Sequence, residues 1–143
     1  MPMQPLSPLD AVLLPEAVLQ HVQAKVPGLL ALYAFGSRVQ GTATANSDLD
    51  LAVLVQGYAD PVTLFDVAQS LSEVAGCEVD LLDLRAASTV MQYQIITSGL
   101  RWWQQDSTAA LYEAAILSEK VELDTARAGL LRDIQQSGRV YGR

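Results

Sequence analysis

A chain of 143 residues, half of them hydrophobic and 17% charged, is long enough to bury a core as one domain and does not belong with disordered or fibrous proteins. Its net charge of −7 excludes the diffuse positive field that holds long phosphate backbones, so direct binding of long nucleic acids is not expected. With Cys77 the sole cysteine and His21 the sole histidine, an internal disulfide and a Cys/His zinc site are excluded, and chemistry falls to carboxylates, hydroxyls or a bound metal.

The first fourteen residues, Met1 to Leu14, lack a basic region, carry Asp10 and are interrupted by Pro2, Pro5 and Pro8, so they read as an N-terminal extension and not as a secretory signal. Pro15 suits the first turn of a helix whose apolar side includes Val18, Val22 and Val26 and which Pro27-Gly28 stops. Leu29 to Phe35 reads as a buried strand. After a glycine-punctuated loop, Asp48 to Val55 alternates: Leu49, Leu51, Val53 and Val55 share one face, and Asp48 and Asp50 point to the other. Asp60-Pro61 opens a helix that buries Leu64, Val67, Ala68, Leu71 and Val74 and ends at Gly76. Cys77 to Leu84 follows as a strand, Ser88 to Thr97 as a short helix closed near Gly99, and Leu100 to Gln104 as a short strand. Residues 106–143 are predicted to hold one long or broken helix and a tail. No repeat or shift in composition marks a second domain, and no apolar run is long enough to cross a bilayer. A cytoplasmic location is expected, in agreement with the unpaired Cys77.

The chemistry-bearing segment is Gly36-Ser37-Arg38, followed ten residues beyond Ser37 by Ser47-Asp48-Leu49-Asp50. Carboxylates at i and i+2 of a strand leave on the same face with Cα atoms about 6–7 Å apart, which lets both converge on metal ions. Asp80 is the candidate third carboxylate, because Glu78, Asp80 and Leu82 alternate with Val79 and Leu81. Three clustered carboxylates repel one another without a cation, and magnesium, which prefers oxygen ligands, is the natural occupant; a two-metal site holds its ions about 3.5–4 Å apart. Gly36 permits a sharp turn and a close approach to phosphate, Ser37 can cap a short helix and offer its hydroxyl and amide to phosphate oxygens, and Arg38 is a candidate for either a further phosphate contact or a solvent-facing position. Asn46-Ser47 forms the turn that delivers Asp48.

This arrangement resembles the nucleotidyltransferase superfamily typified by DNA polymerase beta: Gly-Ser, some ten residues, Asp-x-Asp on a strand, and a third Asp on a later strand. It is most similar to the minimal nucleotidyltransferases that act as antitoxins to HEPN-domain ribonuclease toxins in bacteria. Leu32 to Ser37, Ser47 to Leu54 and Val79 to Arg85 carry the likeness, which continues less specifically through Ser88-Thr89-Val90, Gly99 and the long C-terminal helix. The resemblance implies a single α+β domain over residues 1–143: a mixed, mainly antiparallel sheet with helices packed on one face and a C-terminal helix. It implies that Gly36, Ser37, Arg38 and Ser47 bind the nucleotide, that Asp48 and Asp50 carry two magnesium ions, and that Asp80 binds the catalytic one and assists the acceptor hydroxyl. It further implies that AMP passes from ATP to a tyrosine of a HEPN-type toxin, which thereby loses its RNA-cleaving activity.

Other readings stand beside these. Aminoglycoside-type nucleotidyltransferases share the Gly-Ser and Asp-x-Asp elements but commonly carry an added substrate region, for which the residues after Gly99 leave little room. A binding-only antitoxin needs no working site. Asp83 falls on the wrong face for the metal and suits a strand end or turn, Glu78 reads as a solvated edge carboxylate, and His21 and Cys77 read as structural. Trp102 and Trp103, being adjacent, are expected on opposite faces of their strand. Ile116, Leu123, Leu130 and Ile134 lie near one face of the last helix, a face for packing on the domain or on a partner. The tail Arg139–Arg143 is too short to fold independently and is expected to order only against a partner.

Overall fold

The computed structural model describes residues 8–41 and 47–137, with side chains from residue 15 to residue 132. Its elements run α1 (Pro8–Lys25), β1 (Leu29–Phe35), α2 (Ser37–Gln40), β2 (Leu49–Val55), α3 (Pro61–Ala75), β3 (Val79–Asp83), a 3-10 turn (Leu84–Ala86), α4 (Thr89–Ser98), β4 (Leu100–Gln104) and α5 (Thr108–Ser137). The four strands form one sheet in the order β3-β2-β1-β4. β1 pairs antiparallel with β2 and β4, and β2 pairs parallel with β3, so the sheet is mixed and mainly antiparallel, as expected.

Central position explains why β1 and β2 are apolar almost throughout. Leu49, Leu51, Val53 and Val55 of β2 join Val18, Val22 and Val26 of α1 and Leu64, Val67, Ala68 and Leu71 of α3 in one core. Ala52 and Leu54, pointing the other way, join Tyr33, Ile95 of α4, and Ala109 and Ile116 of α5. Helices therefore cover both faces, α1 and α3 on one and α4 with the start of α5 on the other; the expectation of a single covered face describes only half of the packing. The second layer follows from the sequence of β1 and β2, whose residues of both parities are apolar and must be removed from water.

Other differences have local causes. α1 begins at Pro8, so Pro15 lies inside the helix and not in its first turn. The buried face of α3 passes from Leu64, Val67, Ala68 and Leu71 to the half-buried Ala75, and this leaves Val74 exposed. Trp102 and Trp103 both pack against the α1/α3 core, because the register slips between Leu32↔Trp103 and Tyr33↔Arg101 and the bulge breaks the alternation. On α5, Ile116 is buried whereas Leu123 and Leu130 are exposed, so the expected apolar stripe packs only at its N-terminal end; the side chain of Ile134 and the tail from Arg139 lie outside the described residues. That packed end is fastened by Glu113, which accepts from the Tyr33 hydroxyl and is paired with Arg101 of β4. Burial, then the adjacent Glu113 charge, raises the Tyr33 phenol above its ordinary range and keeps it a neutral donor.

Asp83 confirms its structural reading. At 8% exposure its Oδ2 accepts from the Ala59 amide at 2.9 Å and its Oδ1 from the Arg85 amide at 3.0 Å, tying the end of β3 to the loop before α3. His21 is held by Ser70 of α3 at 2.7 Å, a bond between the two helices of one layer. Replacing Asp83 by Ala strands two backbone donors and is expected to cost about 1–3 kcal/mol, read as a lower urea midpoint; Asp83→Asn keeps one good acceptor and should lose less.

Candidate active site

The parallel register places Asp50 directly opposite Asp80. Asp48 precedes Asp50 by two positions at the mouth of β2, on the face away from Leu49 and Leu51. The three predicted carboxylates are thus brought to one end of one sheet face. Asp48 and Asp80 are exposed, whereas Asp50 is partly covered. Burial raises the Asp50 carboxyl above its ordinary value, and the negative charges of Asp80 and Asp48 push it further in the same direction.

Gly36 closes the inner side of this group. It ends β1 beside Asp50, its φ is +81°, and a Cβ built on it would collide with the Asp50 carboxylate. Glycine is therefore required twice, by backbone conformation and by space. Gly36, not Ser37, occupies the cap position of α2; Ser37 is its first residue and makes no capping bond through its side chain. The Gly36 carbonyl accepts from the Val39 and Gln40 amides, and Gly41 terminates the turn by donating to the Ser37 carbonyl.

Arg38 has a role that its sequence position does not announce. Its Nε and Nη2 donate to the carbonyl of Ser47 at 3.1 and 2.8 Å. The guanidinium thereby pins the residue before Asp48 to α2, which makes Arg38 a brace for the carboxylate strand. Nothing in the spacing of Arg38 and Ser47 betrays this side-chain-to-backbone bond.

An all-oxygen donor set with mutual repulsion, and a glycine that leaves room against its most buried member, fits a hard divalent cation such as magnesium. As placed, the carboxylates are neighbours in an open arrangement: among the described residues no three His, Cys, Asp or Glu side chains form a ready-made cage. Asp48, Asp50 and Asp80 would hold the ion. Glu78 is exposed beside them, and its carbonyl, not its carboxylate, is used, accepting from the Leu49 amide at 2.8 Å.

A family model described as polymerase beta, nucleotidyltransferase, matches residues 18–108, a span that contains Gly36, Ser37 and all three carboxylates. The chain belongs to this nucleotidyltransferase family. It is 33% identical over 117 residues to the protein adenylyltransferase MntA of Shewanella oneidensis, covering 82% of this chain and 84% of that protein. Among solved structures it resembles a toxin-antitoxin crystallised with AMP-PNP, at 32% identity and a TM-score of 0.74, over 85% of this chain and 98% of that one. It also resembles a chain of the complex of tri-AMPylated Shewanella oneidensis HEPN toxin with MNT antitoxin, at 28% identity and a TM-score of 0.70, over 87% of this chain and 98% of that one. The nucleotidyltransferase has no helix among its described residues that is long and apolar enough to cross a membrane.

The electrostatics of Asp50 have a sign that can be checked. A carboxyl whose pKa is raised on folding binds its proton more tightly in the folded chain, so stability falls as pH rises from the ordinary value of 3.8 through the folded value. Asp50→Asn removes that charge. In EDTA, the Tm of the variant relative to that of the unaltered chain should rise as pH is raised from about 3 to about 7, leaving the variant the more stable form at neutral pH.

Proposed function

We propose that this nucleotidyltransferase is an antitoxin that transfers AMP from ATP to a tyrosine hydroxyl of a HEPN-type ribonuclease toxin and so neutralises it, with residues 1–143 acting as a single minimal domain. The observation that carries this reading is the register of Asp50 against Asp80 beside Gly36, which gathers the family's acidic residues at one end of the sheet. The matching relatives supply the acceptor class: one is a protein adenylyltransferase, and one solved complex contains an AMPylated HEPN toxin.

Each residue then has a part. Gly36 and the amide and hydroxyl of Ser37 would face the triphosphate, and the missing Gly36 Cβ leaves the Asp50 carboxylate room beside them. Arg38 and Ser47 act as one unit, the guanidinium holding the Ser47 carbonyl so that Asp48 is delivered in place. Asp48 and Asp50 would hold two magnesium ions, with Asp80 as a further ligand to the catalytic one. Bound magnesium neutralises the carboxylates and the triphosphate and stabilises the charge that develops on the leaving group. The acceptor oxygen forms a bond to the α-phosphorus as the bond to the bridging oxygen breaks, and pyrophosphate leaves. The acceptor proton passes to Asp80, whose exposure gives it a path to water.

A small-molecule acceptor is less well supported, because the solved relatives matched over 97–98% of their own length belong to toxin-antitoxin assemblies. The chain, incubated with its HEPN partner, ATP and magnesium, is expected to add AMP mass to the partner. Asp48→Asn and Asp80→Asn should each lower that transfer by more than about 100-fold while leaving the circular dichroism and the complex intact. Undiminished transfer by these variants would refute the site; protection by them of cells carrying the toxin, with no transfer, would establish neutralisation by binding alone.

A further inference from the structure

β3 is an edge strand, and its outer side is partly dressed and partly open. The Leu49 amide donates to the Glu78 carbonyl, so in the parallel pattern the backbone groups of Glu78, Asp80 and Leu82 point toward β2 and those of Val79 and Leu81 point outward. The outward Val79 amide is satisfied by the Ser72 hydroxyl at 3.2 Å. Among the described residues, what remains outward without a partner is the Val79 carbonyl and the Leu81 amide. In parallel pairing these are the acceptor and donor that hold one residue of an added strand, the residue opposite Asp80.

Beside this edge lies a cleft of about 420 Å³ between α3 and β3, lined by Leu64, Phe65, Ala68, Gln69, Val79 and Asp80 among others. Its outer wall is Phe65, whose ring is 64% exposed. A large apolar side chain left in water across a cleft from Asp80, beside unpaired strand-edge groups, calls for a partner. A second copy of a chain of net charge −7 is a poor one.

We propose that an acceptor segment of the partner polypeptide docks here in extended form, adding to β3 as a parallel strand. The proposal rests on the transferase reading above and names how that site selects its acceptor. Side chains of an added strand alternate between the two faces of the sheet. The residue opposite Asp80 therefore projects on the carboxylate face, where its hydroxyl meets the reacting group, and the residue next to it in sequence projects into the cleft under Phe65. The cleft favours an apolar residue immediately adjacent to the modified tyrosine. Phe65 is thus a specificity-determining residue and has no part in the chemical step.

The test uses the full chain, magnesium, radiolabelled ATP, the HEPN partner, and two short tyrosine peptides that differ only in carrying Leu or Ser beside the tyrosine. Phe65→Ser is expected to raise KM for the partner at least tenfold with the Kd of magnesium-ATP unchanged, and to erase a preference of the unaltered chain for the Leu peptide. Val74→Ser, at the exposed far end of α3, should leave all three readings unchanged. Transfer by the unaltered chain that survives Phe65→Ser with KM within twofold overturns the docking track alone. Equal loss of magnesium-ATP binding in Phe65→Ser also overturns it, by placing Phe65 in the fold or nucleotide site. No transfer by the unaltered chain to any protein or peptide overturns the transferase reading, and the docking track with it.

Discussion

Asp50 and Asp80 face one another across a parallel strand pair, two like charges held together by backbone hydrogen bonds that neither side chain can relax. The rest of the site depends on this imposed proximity. Strands 2 and 3 can be parallel only because α3 crosses between them, and α3 is held to the sheet by Leu64, Val67, Ala68 and Leu71. Apolar packing on both faces of β2 supplies the rigidity that keeps the carboxylates close against their repulsion.

β3 shows how one residue type takes two roles according to face and surroundings. Asp83, buried at the strand's end, receives two backbone amides and has its charge answered within the fold. Asp80, three positions earlier and exposed, faces another carboxylate in place of donors. A compensated aspartate stabilises architecture; an uncompensated group of three invites a cation. The two ends of the sheet are accordingly divided between structure and chemistry. At the far end Arg85 donates to the Val55 carbonyl and lies over the Tyr112 ring, locking β2 to α5. At the near end Arg38 does the corresponding work for the Ser47 carbonyl, so an arginine fixes the backbone at each limit of β2.

Much of this was legible before any coordinates. Alternation in Leu49 to Val55 and Val79 to Leu82 placed the three carboxylates on a common face, because a period of two is a strong constraint on a short strand. Capping grammar located α3 and α4 to within a residue or two: Ser88 accepts from the Met91 amide as a cap should. What escaped was set by tertiary structure. The bulge at Trp102 follows from how β4 meets β1 and left no mark in a Leu-Arg-Trp-Trp-Gln run. The second helical layer was implied by apolar residues of both parities in β1 and β2, but which helices would supply it depends on chain path. The contacts of Arg38 with Ser47 and of Gly36 with Asp50 join residues 9 and 14 positions apart, and local pattern carries no distance information at that range.

The proposed function requires divalent metal and nucleotide to bind together where Gly36, Asp48, Asp50 and Asp80 meet. Manganese, a paramagnetic substitute for magnesium, broadens amide resonances according to their distance from it, and its titration into the isotope-labelled chain with a non-hydrolysable ATP analogue measures that location directly. The account predicts broadening centred on Gly36, Ser37, Leu49, Asp50 and Asp80, strengthened by the nucleotide, with Arg85 and Tyr112 at the other end of the sheet unaffected. Broadening centred on Arg85 and Tyr112, or a saturated complex that leaves Asp50 and Asp80 sharp, would contradict it.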